Sequence, residues 1–126
     1  MEEFELADIG VPTERLSAAL REAGMHRYHL PIVDAGVPDA RFEEQWLAAG
    51  GELRELLLGG DSIVIHCKGG LGRTGMIQVR LLVELGAAAS TAIRSVRGAR
   101  DGAIETRAQE DHVRGITRPA AATGDR

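Results

Sequence analysis

The sequence predicts an α/β fold in which a mainly parallel central sheet is flanked by helices. Short apolar segments suited to strands, at residues 25–32 and 61–66, alternate with longer segments of helical periodicity. A glycine-rich turn joins the second and more hydrophobic of these segments to a helix, which places the turn at the carboxyl end of a central strand. The 126 residues leave room for one domain, predicted over residues 1–118, with a frayed tail over 119–126.

Before residue 33 the chain is predicted to form two strands and one helix. Weak alternation of apolar residues indicates a short strand over residues 2–9. Pro12 and Thr13 then open a helix over residues 13–23, and the alternation of apolar side chains over 25–32 is typical of a strand.

Four further helices are predicted from capping residues and apolar periodicity. Asp39 caps the first, which carries one apolar stripe and a bend at Gly50–Gly51. The second follows the glycine-rich turn and stops near Gly86, while Ser90 and Thr106 cap the last two. The four helices lie at about residues 40–58, 76–85, 91–97 and 107–116.

The glycine-rich turn carries the chemistry of the chain. Its residues are His66-Cys67-Lys68-Gly69-Gly70-Leu71-Gly72-Arg73-Thr74-Gly75. A strand, a tight loop and a helix N-terminus form an anion site, because backbone N–H groups point inward above the positive end of the helix dipole. Such a site lowers the pKa of the Cys67 thiol, and the Arg73 guanidinium can grip two phosphate oxygens as a fork.

A simpler interpretation is that Cys67 is a buried, inert apolar residue beside an ordinary turn and a surface arginine. The combined pattern His-Cys-x-x-Gly-x-x-Arg-Thr favours the catalytic interpretation, because five specified positions rarely coincide by chance.

The turn resembles the signature loop, Cys-x5-Arg-Ser/Thr, of the cysteine-based protein tyrosine phosphatases. It is most similar to the compact dual-specificity members near the kinase-associated phosphatase branch. Residues 30–39 resemble the general-acid loop of that branch, and residues 97–109 resemble the segment that closes its site, so the resemblance covers Tyr28 to His112. The family usually pairs strands upstream of the first helix, where only about ten residues are available here. Either the sheet is reduced or an N-terminal piece has been lost.

The resemblance implies a phosphomonoester hydrolase that works through a phosphocysteine on proteins bearing phosphotyrosine, with phosphoserine and phosphothreonine left open. Cys67 is then the nucleophile, and Thr74 hydrogen-bonds its sulfur. Arg73 and the loop N–H groups stabilise the transferred group, and His66 orients the loop, unless it is an ordinary core histidine. The predicted phosphate-binding residues are Lys68, Gly69, Gly70, Leu71, Gly72 and Arg73.

Asp34 is predicted to be the general acid and then the general base, 33 residues before Cys67. Asp39 is its rival, although a helix N-cap explains that residue well. Gln109 is a weak candidate for placing the hydrolytic water. Glu105 stands where the larger tyrosine phosphatases have a second glutamine, and a structural role is favoured for it: capping the last helix or pairing with an arginine.

Charge and composition narrow the choice of binding partner, cofactor and cellular compartment. Residues 1–63 carry 5 basic and 13 acidic side chains, whereas residues 64–126 carry 10 basic and 6 acidic. A phosphorylated protein or peptide is therefore a more suitable partner than nucleic acid, which needs an extended basic face. No membrane span, leader peptide, metal or other cofactor is expected. The single cysteine suits a reducing compartment, and we predict a cytoplasmic location.

Two other functions stay open. A phosphate-recognising pseudophosphatase would bind through the same loop without turnover. A sulfur-transfer or arsenate-reducing enzyme would also place a cysteine at an anion-binding loop, but reduction usually recruits further cysteines, and this sequence has one.

Overall fold

The computed structural model describes residues 1–117, which form six helices and no strand. The helices are α1 (Glu3–Asp8), α2 (Thr13–Glu22), α3 (Ala40–Leu58), α4 (Gly72–Glu84), α5 (Ala89–Ala99) and α6 (Arg107–Arg114). The predicted α/β fold with a mainly parallel central sheet is therefore wrong for the described residues. The predicted tail over residues 119–126 lies outside them.

All three predicted strands fail. The segment predicted over residues 2–9 contains α1, and residues 25–32 and 61–66 have no regular secondary structure. Apolar alternation indicates which side chains can be buried, but it does not supply a hydrogen-bonding partner, and two strands alone are marginally stable in water. Val64 is 79 % exposed, which is incompatible with a central strand buried on both faces. The glycine-rich turn over residues 66–75, called the signature loop from here on, thus follows an irregular segment rather than a central strand.

The helix predictions are largely confirmed. Asp39 Oδ1 accepts a hydrogen bond from Phe42 N at 2.9 Å, which fixes the start of α3. This helix continues through Gly50, where a Cβ atom would lie 2.6 Å from the Trp46 ring. Helix α5 begins earlier than predicted, with Ala88 rather than Ser90 as its N-cap residue.

Helix α4 is the centre of the packing, and α3, α5 and α6 all contact it. The side chains of Phe42, Met76, Val79 and Val113 are almost fully buried in this core. Packing of α4 in this core therefore fixes the position of its first turn, which contains the last residues of the signature loop. Within residues 1–117, no helix is long and apolar enough to cross a membrane.

Candidate active site

The signature loop wraps around the sulfur of Cys67. Gly70 N donates a hydrogen bond to Cys67 Sγ at 3.3 Å, and Thr74 Oγ1 donates another at 3.1 Å. Gly70 has a φ of 71°, a left-handed conformation that glycine adopts without strain and that turns its N–H toward the sulfur. The local sequence thus brings a backbone donor, a hydroxyl donor and the N-terminus of α4 to one sulfur atom.

These contacts favour the thiolate form of Cys67. Burial is the largest single influence and opposes ionisation. The hydrogen bonds from Thr74 and Gly70 and the charge of Arg73 together outweigh it, so the pKa of Cys67 is lowered. The side chain is only partly buried, so the sulfur is both ionisable and accessible.

Arg73 is held by a carboxylate that the sequence did not indicate. Its Nη1 donates to Glu5 Oε2 at 2.6 Å and its Nη2 to Glu5 Oε1 at 2.8 Å, while Nη1 also donates to the carbonyl of Ile32 at 3.0 Å. Both side chains are buried. The hydrogen bond from Arg73 lowers the pKa of Glu5 to about 2. Glu5 thus fixes the guanidinium. Because Nη1 and Nη2 both donate to Glu5, the fork that was predicted to grip two phosphate oxygens is bonded to this carboxylate instead.

Asp34 lies beside Arg73, with its Oδ1 3.3 Å from Nη2, and its side chain is exposed. Its loop turns sharply, because Ala35 has a φ of 60° and Gly36 N donates to Val33 O at 2.8 Å. The rival Asp39 instead caps α3. The structure therefore brings Asp34 to the signature arginine and gives Asp39 a structural contact.

Gln109 ties the Asp34 loop to α6. It is fully buried; its Oε1 accepts from Glu105 N at 2.9 Å and Thr106 N at 3.2 Å, and its Nε2 donates to Gly36 O at 3.0 Å. The amide that we predicted to place water is thus bonded to backbone groups at both ends.

Glu105 contacts the signature loop directly. Its Oε1 accepts a hydrogen bond from Gly72 N at 3.1 Å. The predicted structural roles for Glu105 are wrong. Thr106 and Gln109 form the capping box of α6, and no ion pair joins Glu105 to an arginine within residues 1–117. Arg100 donates instead to Gly69 O at 3.2 Å.

The two remaining predicted residues, His66 and Lys68, flank Cys67 at the surface. Desolvation of its ring lowers the pKa of His66, and a contact with the Cys67 backbone partly offsets this effect. Lys68 is exposed at the rim of the loop. Among the residues that the structure describes, no group of three or more potential ligands could hold a metal ion.

A cavity of about 520 Å³ borders the loop from the side of the irregular segments. Cys67, Arg73 and Thr74 line one end, and apolar residues such as Leu20 and Ile65 line the rest. Its volume is in the range of small-molecule sites.

Sequence reasoning missed Glu5 and the loop contact of Glu105. Glu5 lies 68 positions before Arg73, and no spacing rule connects two residues that far apart. The only signal near Glu5 is local: its carboxylate accepts from Glu2 N at 2.8 Å, the contact of a helix N-terminal capping box.

Comparison with known proteins identifies a family and a curated relative that this chain resembles. The family whose model matches residues 6–87 is described as "Polymorphic toxin system, DSP-PTPase phosphatase". The chain is also 33 % identical over 114 residues to cyclin-dependent kinase inhibitor 3 of Rattus norvegicus, a match that covers 86 % of this chain and 50 % of the relative. The chain thus spans about half the length of the curated relative that it matches.

Proposed function

Because the chain belongs to the dual-specificity phosphatase family, we propose that it hydrolyses phosphomonoesters on proteins through a phosphocysteine formed on Cys67. The family resemblance recognised in the signature loop is confirmed, including its position near the kinase-associated phosphatase branch. The observation that carries the proposal is the pair of hydrogen bonds from Gly70 N and Thr74 Oγ1 to Cys67 Sγ, since they stabilise a nucleophilic thiolate.

In the proposed first step, the Cys67 thiolate attacks phosphorus. An S–P bond forms as the ester P–O bond breaks, and the leaving oxygen takes a proton from Asp34. Arg73 and the loop N–H groups stabilise the charge on the three equatorial oxygens. The 3.3 Å approach of Asp34 to Arg73 supports this assignment, because it puts the acid beside the group that would hold the phosphate.

In the proposed second step, water attacks the phosphocysteine and gives its proton to the Asp34 carboxylate. The S–P bond breaks, inorganic phosphate leaves, and the thiolate is regenerated. Thr74 Oγ1 stabilises the departing sulfur through the hydrogen bond that it already makes at 3.1 Å. No metal ion is required in either step.

The proposed substrates are cytoplasmic proteins that carry phosphotyrosine. Proteins that carry phosphoserine or phosphothreonine are included as further candidate substrates. Phosphoinositide phosphatases of the superfamily often carry two lysines in the signature loop. This chain has Lys68 and, at the second position, Leu71, which favours a phosphoprotein over an inositol lipid.

Turnover of para-nitrophenyl phosphate in EDTA tests the proposal. The native chain should be active in EDTA, and Cys67→Ser should be inactive while retaining the native melting temperature. A chain without turnover that binds phosphopeptides tightly would be a binding module instead. Activity that survives in Cys67→Ser, or that EDTA abolishes, would refute the phosphocysteine route.

A further inference from the structure

We propose that Glu105 is an internal competitor for the phosphate site: its carboxylate occupies one loop N–H in the free protein, and an incoming phosphate must displace it. The inference rests on the proposed function, because it describes the control of that same site. It assigns to Glu105 a role in setting the affinity for substrate and product phosphate.

The first observation is the identity of the donor. Glu105 Oε1 accepts from Gly72 N at 3.1 Å, and Gly72 is the first residue of α4. The N–H groups of the first turn of a helix have no acceptor within the helix, and the helix dipole favours an anion there. Gly72 N is also one of the loop N–H groups assigned to the phosphate. The carboxylate therefore uses a donor that a phosphate oxygen would use.

The second observation is how the chain delivers this carboxylate. Ile104, the preceding residue, has a φ of 64° and is 4 % exposed. A β-branched residue rarely adopts this left-handed conformation, so the surroundings must enforce it. One enforcing contact is the hydrogen bond from Ile104 N to Leu71 O at 3.1 Å, which fastens this segment to the signature loop. The position of Glu105 is therefore built into the fold.

The third observation is that Glu105 is free to leave. Its side chain is exposed, and no lysine or arginine within residues 1–117 forms an ion pair with it. Glu5 differs in both respects, since it is buried and bonded twice to Arg73. When a phosphate enters the loop, repulsion between the two anions favours the movement of the exposed carboxylate, while Glu5 stays in place.

Two consequences follow for binding. The site should bind phosphate more weakly than the same loop without a competing charge. Part of the free energy gained by binding phosphate is offset by the loss of the hydrogen bond between Gly72 N and Glu105. Glutamine at this position would keep the size and the acceptor oxygen but remove the charge. Its bond to Gly72 N would be weaker, and it would not repel the phosphate.

Calorimetric titration with inorganic phosphate, at fixed pH and ionic strength, tests the inference without depending on turnover. Glu105→Gln should bind phosphate about tenfold more tightly than the native chain, the difference expected between a charged and a neutral acceptor. Asp111→Asn is the matched control, since it removes one negative charge from an exposed position on α6, the helix that begins just after Glu105, and should change the affinity less than about twofold. Glu105→Ala should shift the affinity in the same direction as Glu105→Gln and serves if the glutamine variant does not fold.

The inference is overturned if Glu105→Gln and Glu105→Ala both bind phosphate no more tightly than the native chain. If the native chain turns over substrate in that case, the proposed function stands and only the competitor role fails. If the variants bind more tightly but neither they nor the native chain hydrolyse an ester, the competitor role stands and the proposed hydrolysis fails.

Discussion

Replacement of Glu5 by glutamine tests the buried contact that holds the signature arginine. Glu5 and Arg73 are each 4 % exposed and share two hydrogen bonds, at 2.6 and 2.8 Å. The variant removes the charge that balances the guanidinium while nearly preserving the side-chain volume. It therefore removes the buried counter-ion of Arg73 and leaves only the exposed Asp34 carboxylate beside the guanidinium, and breaking a buried pair in this way is strongly destabilising.

The expected magnitude comes from the pKa of Glu5, which the contact lowers from 4.5 to about 2. At about 1.4 kcal/mol for each pH unit, this difference corresponds to about 3 kcal/mol of stability at pH 7. Because the folded-state pKa is the lower one, the contribution is fully present above pH 4.5 and is lost as the pH falls toward 2.

Urea denaturation at several pH values measures both effects. At pH 7 the free energy of unfolding of Glu5→Gln should be lower than that of the native chain by about 3 kcal/mol. The difference should shrink between pH 4.5 and 2, since protonation also neutralises the native carboxylate. Glu3→Gln, an exposed change on the same helix, is the control and should cost less than about 0.5 kcal/mol. A Glu5→Gln variant within 1 kcal/mol of the native chain at pH 7 would refute the reasoning.

Two further predictions concern the sulfur and the acid. Asp34→Ala should slow hydrolysis of aryl phosphates with poor leaving groups by about 100-fold or more, and of para-nitrophenyl phosphate much less, because only a poor leaving group needs the proton. If Asp39→Ala shows that pattern instead, the acid has been misassigned. Thr74→Ala removes the 3.1 Å donor to Cys67 Sγ and should raise the pKa of Cys67, because the thiolate loses a hydrogen bond that stabilises it. The rate of alkylation by iodoacetamide should then rise at a higher pH than in the native chain, and an unchanged pH profile would show that the hydroxyl does not stabilise the thiolate.

Features of the fold that depend on neighbouring residues were predictable from the sequence. Asp39 and Thr106 cap helices through contacts three residues away, and α2, α3, α4 and α6 lie close to their predicted positions. The loop around Cys67 is equally local, since its donors lie three and seven residues from the sulfur. Such contacts form within one or two turns of chain, so the order of residue types is enough to indicate them.

The sheet was mispredicted because strand pairing, unlike helix capping, depends on segments that are distant in the sequence. The apolar patterns over residues 25–32 and 61–66 are compatible with strands, but a strand exists only when another segment accepts its hydrogen bonds. That pairing is a tertiary property, and the sequence pattern carries no information about it. The resemblance to a family with a sheet strengthened the wrong expectation.

The sequence by itself therefore determined the family, the approximate positions of α2, α3, α4 and α6, and the two donors that bond to the Cys67 sulfur. Only the tertiary structure decided which distant side chains meet at the signature loop and the neighbouring Asp34 loop. Glu5 reaches Arg73 across 68 positions, Glu105 reaches Gly72 across 33, and Gln109 reaches Gly36 across 73. Contacts over such separations depend on how whole helices pack, because the energy that brings the residues together comes from the burial of the core around α4 rather than from the residues that touch.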